Sequence, residues 1–224
     1  MGASTDATSV AAFDFDGTIS RRDTLIAFLA KVSGPSRFAA GWARLGGAGA
    51  RGRVDVRDRD EVKAELIRVL LAGRSEADLH RRGELYARDL LSDSLRPEVV
   101  DRVRHHRARG HRTVIVSASL VYYLIPLARE LGIDGVIGVE PEVDDGVLTG
   151  ALRHPNVRAE QKAVRLRGWL GLGPDEPLRR TLWAYGNTSG DHALLAMADH
   201  AFWLGRPSKL PAGALLFTPE SPLD

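Results

Sequence analysis

The apolar run Val10-Ala11-Ala12-Phe13 ends in Asp14-Phe15-Asp16-Gly17-Thr18. This junction constrains the chain more than any other feature. The run reads as a buried strand of a parallel sheet. Alternation along a strand puts Asp14 and Asp16 on one side and Phe15 on the other. Two carboxylates then converge where a strand ends, which is where open α/β sheets bind ligands. Gly17 allows a sharp turn and a close approach to an anion. Such a pair can hold a cation, and one member can attack phosphorus while the other moves a proton. The same residues could also form an ordinary acidic strand-to-loop turn, so the rest of the chain decides.

The length of 224 residues suits one α/β core with a small insertion. Hydrophobic content of 44% and charged content of 27% describe a globular chain. Cysteine is absent, which excludes disulfides, a thiol nucleophile and a zinc–thiolate site. Met1 to Ser9 is small and polar, unlike a secretory signal, and no run reaches transmembrane length. The expected location is the cytoplasm. Net charge is +2, with 31 basic residues of which four are lysine, leaving 31 − 4 = 27 arginines. They form no dense basic block with interleaved aromatics, so nucleic acid is not an expected partner.

After the first strand the pattern turns helical. Thr24–Val32 predicts a helix, and Phe38–Leu45 a short one inside a Gly/Arg-rich segment that continues as a mobile loop. Glu61–Ala72 and Glu76–Leu91 follow as amphipathic helices, the second carrying Leu79, Leu85, Tyr86 and Leu90. Strand and helix then alternate: a helix from Pro97 to Gly110, a strand Arg112–Val116, a helix Val121–Leu131 stopped by Gly132, and a strand Gly135–Val139. Asp144-Asp145-Gly146 predicts a hairpin turn. A helix Ala159–Leu170, a strand Leu182–Tyr185, a helix His192–Ala198 and late strands at Ala201–Leu204 and Leu215–Phe217 complete the series. The fold class is α/β, a Rossmann-like parallel sheet with helices on both faces and a small helical insert after the first strand. Residues 1–19 and 93–224 form the core and 20–92 the insert. His105, His106 and His111 read as surface residues.

The Asp-x-Asp-Gly-Thr junction resembles the first motif of the haloacid dehalogenase-like phosphatases, and the rest of that family's pattern follows in order. Ser117 ends the strand Val114-Ile115-Val116. Lys162 lies in Ala159-Glu160-Gln161-Lys162-Ala163, and Arg158 could share its helical face. Tyr185-Gly186-Asn187-Thr188-Ser189-Gly190-Asp191 stands where the family has Gly-Asp-x-x-x-Asp. The resemblance implies that Asp14 is the nucleophile, forming an aspartyl-phosphate, and that Asp16 is the general acid/base. It implies that Thr18, Ser117, the Ala118 N–H and Lys162 bind phosphate, and that Mg²⁺ lies among Asp14, Asp16, Asn187 and Asp191. Asn187 departs from the pattern, because an amide offers a carbonyl oxygen without charge. Ser119 is placed to cap the next helix. The helical insert corresponds to the family's cap.

The position of that cap resembles the phosphoserine phosphatase-like branch, subfamily IB. Asp23 stands where those enzymes carry a Glu that reads the substrate amine, and Arg59 is a carboxylate reader from the cap. Gly190 stands where they carry an Asn, so a polar substrate contact is missing. The expected function is Mg²⁺-dependent hydrolysis of a small phosphorylated metabolite. The alternatives are a lipid-linked phosphate, approached through Phe38, Trp42 and Leu45 among Arg37, Arg44 and Arg51, or a catalytically weak phosphate-ligand binding protein.

Overall fold

A computed structural model describes residues 9–221, apart from the side chains of residues 59 and 60. Its elements run β1 (Val10–Phe13), α1 (Leu25–Ser33), α2 (Pro35–Ala50), α3 (Arg59–Leu71), α4 (Glu76–Asp93), α5 (Pro97–Ala108), β2 (Arg112–Leu120), α6 (Val121–Leu131) and β3 (Gly135–Val139). They continue as β4 (Pro141–Asp144), β5 (Val147–Leu152), α7 (Glu160–Trp169), β6 (Leu182–Gly186), α8 (His192–Ala196), β7 (His200–Trp203) and β8 (Leu215–Leu216). Six strands pair in parallel in the order β3-β2-β1-β6-β7-β8, as expected for an α/β chain. From β1 the chain moves out to β2 on one side and later returns to β6 on the other. The strand order therefore reverses between β1 and β6, which opens a crevice at their carboxyl ends.

The central strands are buried on both faces, and their alternation sorts residues into two cores. Ala11, Phe13, Ile115, Trp183 and Tyr185 join the core under α1, α4 and α6. Val10, Ala12, Val114, Val116, Leu182 and Ala184 join the core under α7 and α8. Phe13 stacks on Tyr185 with ring centroids 4.4 Å apart. Truncating a fully buried phenylalanine of this kind costs about 3–5 kcal/mol. The hairpin turn between β4 and β5 is as predicted, with Asp145 and Gly146 at φ 44° and 74°.

The segment between β1 and α5 is helical, with isolated bridges at Ser20 and Ser75. Its second helix is longer than the sequence suggests. Glycines predict an early stop, yet α2 continues to Ala50 through Gly41, Gly46, Gly47 and Gly49. The extension is packed, with Ala48 buried and a Cβ at Gly49 only 2.6 Å from Val56 Cγ1, and earlier in the helix a Cβ at Gly41 would lie 2.6 Å from Leu70 Cδ2, so glycine lets α2 settle onto α3. That contact offsets a helix-propensity cost of about 1 kcal/mol per glycine. On α4, Leu85 turns outward at 52% exposure, while Leu79, Gly83, Tyr86 and Leu90 face inward. A Cβ at Gly83 would lie 2.1 Å from the Tyr122 carbonyl oxygen. Pro126 in α6 brings no N–H to that carbonyl, and α4 approaches there.

His106 is not a surface residue. It is fully buried beneath β1 and β6, while His105 is exposed. Its Nε2 lies 2.8 Å from the Tyr185 hydroxyl and its Nδ1 2.9 Å from His111 Nδ1. Burial, then the neighbouring His111, pushes its pKa down to about 3 from the ordinary 6.5. The unfolded chain therefore binds the extra proton first as pH falls. This contribution to stability is complete above about pH 6.5 and is lost progressively toward pH 3. Its slope is at most about 1.4 kcal/mol per pH unit. His106→Gln should flatten the acid limb between pH 6.5 and 4 in urea denaturation. Identical acid limbs for both proteins would contradict the assignment.

Candidate active site

At the carboxyl end of β1 the chain turns tightly. The Asp14 N–H donates to the Tyr185 carbonyl at 2.9 Å, tying the turn to β6. Gly17 takes φ +82°, and a Cβ there would meet Asn187 Nδ2 at 2.1 Å, so glycine is required on two counts. Asp14 and Asp16 both reach the same cleft, while Phe15 is buried in the helical-side core. The turn places them there; the regular strand stops at Phe13.

Lys162, on the first turns of α7, lies between two carboxylates. Its ammonium donates to Asp14 Oδ1 at 2.5 Å and to Asp191 Oδ1 at 2.6 Å, and all three groups are buried. Burial disfavours the ammonium, but Asp14 and Asp191 more than compensate, so its pKa lies above the ordinary value. Burial, followed by repulsion from Asp191, raises Asp14 despite the attraction of Lys162. Asp191 is lowered: burial works against its charge, but Lys162 and backbone donors prevail. Its Oδ2 accepts from the N–H groups of Asn187 at 3.0 Å and Thr188 at 2.8 Å, so this carboxylate also holds the β6–α8 loop.

On the other side of Asp14 three oxygen-bearing groups meet. The Asn187 amide atom facing them lies 3.1 Å from Asp14 Oδ2 and 3.2 Å from the Asp16 carbonyl oxygen. Turned nitrogen-first, the amide donates to both. Turned oxygen-first, it completes a cluster of three oxygens. Adjacent ligands of an octahedral Mg²⁺ at about 2.0–2.1 Å are about 2.9 Å apart, so the two separations from the Asn187 amide are close to those of neighbouring ligands in such a shell. The Thr18 hydroxyl, fully buried, is within donating reach of Asp14 Oδ2 at 3.2 Å and Asn187 Oδ1 at 3.3 Å.

The Asp16 carboxylate is fixed by donors from two elements. Its Oδ1 accepts from the Thr24 N–H at 2.9 Å and the Thr24 hydroxyl at 2.6 Å, and its Oδ2 from the Ser119 hydroxyl at 2.6 Å. Thr24 is held by the Tyr86 hydroxyl, which donates to its carbonyl, and by the Tyr123 hydroxyl beside its own. Burial, then the nearby Asp23 charge, raises the Asp16 pKa against these hydrogen bonds. The cleft, about 250 Å³, is lined by Asp14, Asp16, Ser117, Ala118, Lys162 and Asn187 together with several basic side chains.

The haloacid dehalogenase-like hydrolase family matches residues 11–196, from β1 through α8. The chain belongs to this family. Protein CicA of Caulobacter vibrioides is 39% identical over 201 residues, covering 88% of this chain and 87% of the relative. A protein of unknown function from Bordetella pertussis Tohama I has a similar structure, with a TM-score of 0.73, 25% identity, and coverage of 90% of this chain and 92% of that one. A phosphoserine phosphatase of Archaeoglobus fulgidus is 26% identical over 151 residues, 67% of this chain and 40% of that protein. By family and by such relatives the chain is an enzyme of the phosphatase type, like the phosphoserine phosphatase branch that the sequence resembles.

Within that family frame, the structure brings Asp14, Asp16, Ser117, Ala118, Lys162 and Asn187 to one cleft. Thr18 braces Asp14 from below and does not line the cleft. Asp191 lines the same cleft, with Oδ1 on Lys162 and Oδ2 on the loop N–H groups. Asp23 stands at the cleft mouth, where its Oδ1 accepts the Leu25 N–H at 3.1 Å and caps α1. The Arg59 side chain lies outside the described residues. Phe38 and Leu45 pack inward, leaving Trp42 as the exposed member of the proposed lipid contact. Ser119 does not cap α6; Leu120 holds that position, and Ser119 serves Asp16. Strand spacing carried that signal, because residues 117 and 119 share a face. Thr24, Arg22 and Lys63 carry no comparable mark in the sequence.

Lys162→Met leaves two buried carboxylates facing each other without a cation. It should lower stability by about 3–5 kcal/mol, measured by urea denaturation at neutral pH. A loss below about 1 kcal/mol would show that the pair does not depend on the ammonium.

Proposed function

We propose that the chain hydrolyses a small phosphomonoester through an aspartyl-phosphate on Asp14, with Mg²⁺ bound by Asp14, the Asp16 carbonyl and Asn187. The single observation that carries this is the division of labour on the Asp14 carboxylate. Its Oδ2 lies 3.1 Å from the Asn187 amide that also approaches the Asp16 carbonyl, while Oδ1 is held by Lys162 at the cleft wall. Oδ1 is then the attacking atom. Bound there, Mg²⁺ would neutralise phosphoryl and carboxylate charge.

Oδ1 forms a bond to phosphorus as the ester P–O bond breaks. The Lys162 ammonium, the Ser117 hydroxyl and the Ala118 N–H receive the phosphoryl oxygens. Asp16, protonated, exchanges one of its hydrogen bonds for the leaving oxygen and gives it the proton. It then takes a proton from water as that water attacks phosphorus and the bond from phosphorus to Asp14 Oδ1 breaks. Inorganic phosphate leaves, and both carboxylates return to their starting forms. Asp191 keeps Lys162 aimed. Residues 20–92, which hold α1–α3 and all but the last residue of α4, serve as the cap over a core that among the described residues comprises 9–19 and 93–221. Among the described residues no helix is long and apolar enough to cross a membrane, and we take the setting to be the cytoplasm.

Asp14→Asn should abolish phosphate release from phenyl phosphate with Mg²⁺ present, while circular dichroism stays that of the parent. Parental turnover in the variant would overturn the nucleophile assignment. Asn187 gives the metal shell one negative charge fewer than an aspartate would. Asn187→Asp should therefore lower the Mg²⁺ concentration for half-maximal activity by about tenfold, taking one charge-assisted contact as about 1.4 kcal/mol. An unchanged midpoint would remove Asn187 from the metal shell.

A further inference from the structure

Beyond Lys162, the cleft carries Arg21, Arg22, Lys63 and Arg158. Arg21 gives its Nε–H to the Leu95 carbonyl at 3.1 Å. Asp23, the carboxylate at the mouth, is engaged in capping α1. Beyond Asp14, Asp16 and the Lys162-paired Asp191, the lining sets these four cations against the single carboxylate of Asp23 and is predominantly cationic. Such a lining suits an anion better than an ammonium group.

Arg158 is set in this lining by an unusual backbone. The next residue, Ala159, takes φ +50° and ψ −128°, a conformation that a side-chain-bearing residue adopts only under constraint. The Ala159 N–H donates to the Gly190 carbonyl at 2.9 Å, fixing the pre-helix loop to the β6–α8 loop. Gly190 itself is not at positive φ, so its backbone does not call for glycine. What glycine supplies is room. A Cβ at position 190 would lie 3.1 Å from Arg158 Cγ and 3.2 Å from its Nε. The bare face of Gly190 and the strained turn at Ala159 thus set the Arg158 stem in the cleft that Lys162 also lines. Guanidinium groups match carboxylate and phosphate oxygens two at a time.

We infer that Arg158 is a specificity-determining residue that reads a second anionic group, a carboxylate or a second phosphoryl group, on the leaving portion of the substrate. Lys63, on α3, adds positive charge to the same cleft. The inference rests on the phosphatase reading and narrows its substrate class to phosphomonoesters with a second oxyanion.

The test is a binding measurement that needs no turnover. Calorimetric titration of the full chain in Mg²⁺ buffer compares propylphosphonate, 3-phosphonopropionate and propane-1,3-bisphosphonate. The structure predicts that at least one dianionic-ended probe binds tenfold or more tightly than propylphosphonate. The carboxylate and bisphosphonate arms show which second group is preferred. Arg158→Gln should reduce that preference to within about threefold, and Arg158→Lys should retain part of it. Gly190→Ala, which crowds the Arg158 stem without removing its charge, should also reduce it. Equal affinity for all three probes in the parent, or equal weakening of all three in Arg158→Gln, would overturn the inference. Phosphate release from phenyl phosphate by the parent reports separately on the hydrolase reading. A preserved probe preference without hydrolysis would sink that reading and leave the anion subsite standing.

Discussion

One ammonium between two buried carboxylates organises this molecule. Lys162 touches Asp14 from the β1 turn and Asp191 from the β6–α8 loop, and its own backbone belongs to α7. The three groups come from separate segments of the chain and meet buried at the wall of the cleft. Such charges are tolerated only when they satisfy one another. The position of Asp14, the aim of the lysine and the course of the β6–α8 loop therefore depend on the same contact. With two carboxylates to one cation, the cluster keeps a net negative charge next to the three-oxygen face. That is the electrostatic condition under which a divalent cation is favoured there.

The sheet topology brings these segments together. Reversal of strand order between β1 and β6 leaves their carboxyl ends side by side, and the Asp14 N–H bonds across to Tyr185. Gly17 then passes so close to Asn187 that no side chain could stand between them. Support for Asp16 arrives from the other direction, through Thr24, Tyr86, Tyr123 and Ser119. The two carboxylates thus rest on separate scaffolds. Asp14 is anchored by the sheet and α7, whereas Asp16 is anchored where α1 and α4 meet β2 and α6. Motion of the helical segment relative to the sheet would be felt at Asp16 first.

Much of this was legible in the sequence, for identifiable reasons. Apolar runs of four to five residues between helical stretches specify buried parallel strands, and punctuation by Gly132 and by Asp145-Gly146 marks chain reversals reliably. The candidate site was legible where motif residues sit at strand ends, as Asp14, Ser117 and Asn187 do. What failed was decided by tertiary packing. The continuation of α2 past Leu45 comes with Ala48 buried and Gly49 close to Val56, contacts that lie outside its own pattern. His106 looks polar and exposed on its own helix, yet it lies under Tyr185, and no local pattern encodes that partner. Ser119 read as a helix cap because capping is the commoner use of serine before a helix; its carboxylate partner is 103 positions away. Arg158 and Gly190 acquire meaning only as a pair in space.

The central claim is that Asp14 carries the phosphoryl group during turnover. The direct measurement is rapid acid quench of the enzyme turning over phenyl phosphate with Mg²⁺, followed by proteolysis and mass spectrometry of the peptide containing residues 10–20. The account predicts an acid-stable, hydroxylamine-sensitive phosphoryl adduct on Asp14 that appears and decays with substrate consumption. Phosphate release without any covalent adduct, or with the adduct on a different residue, would contradict it.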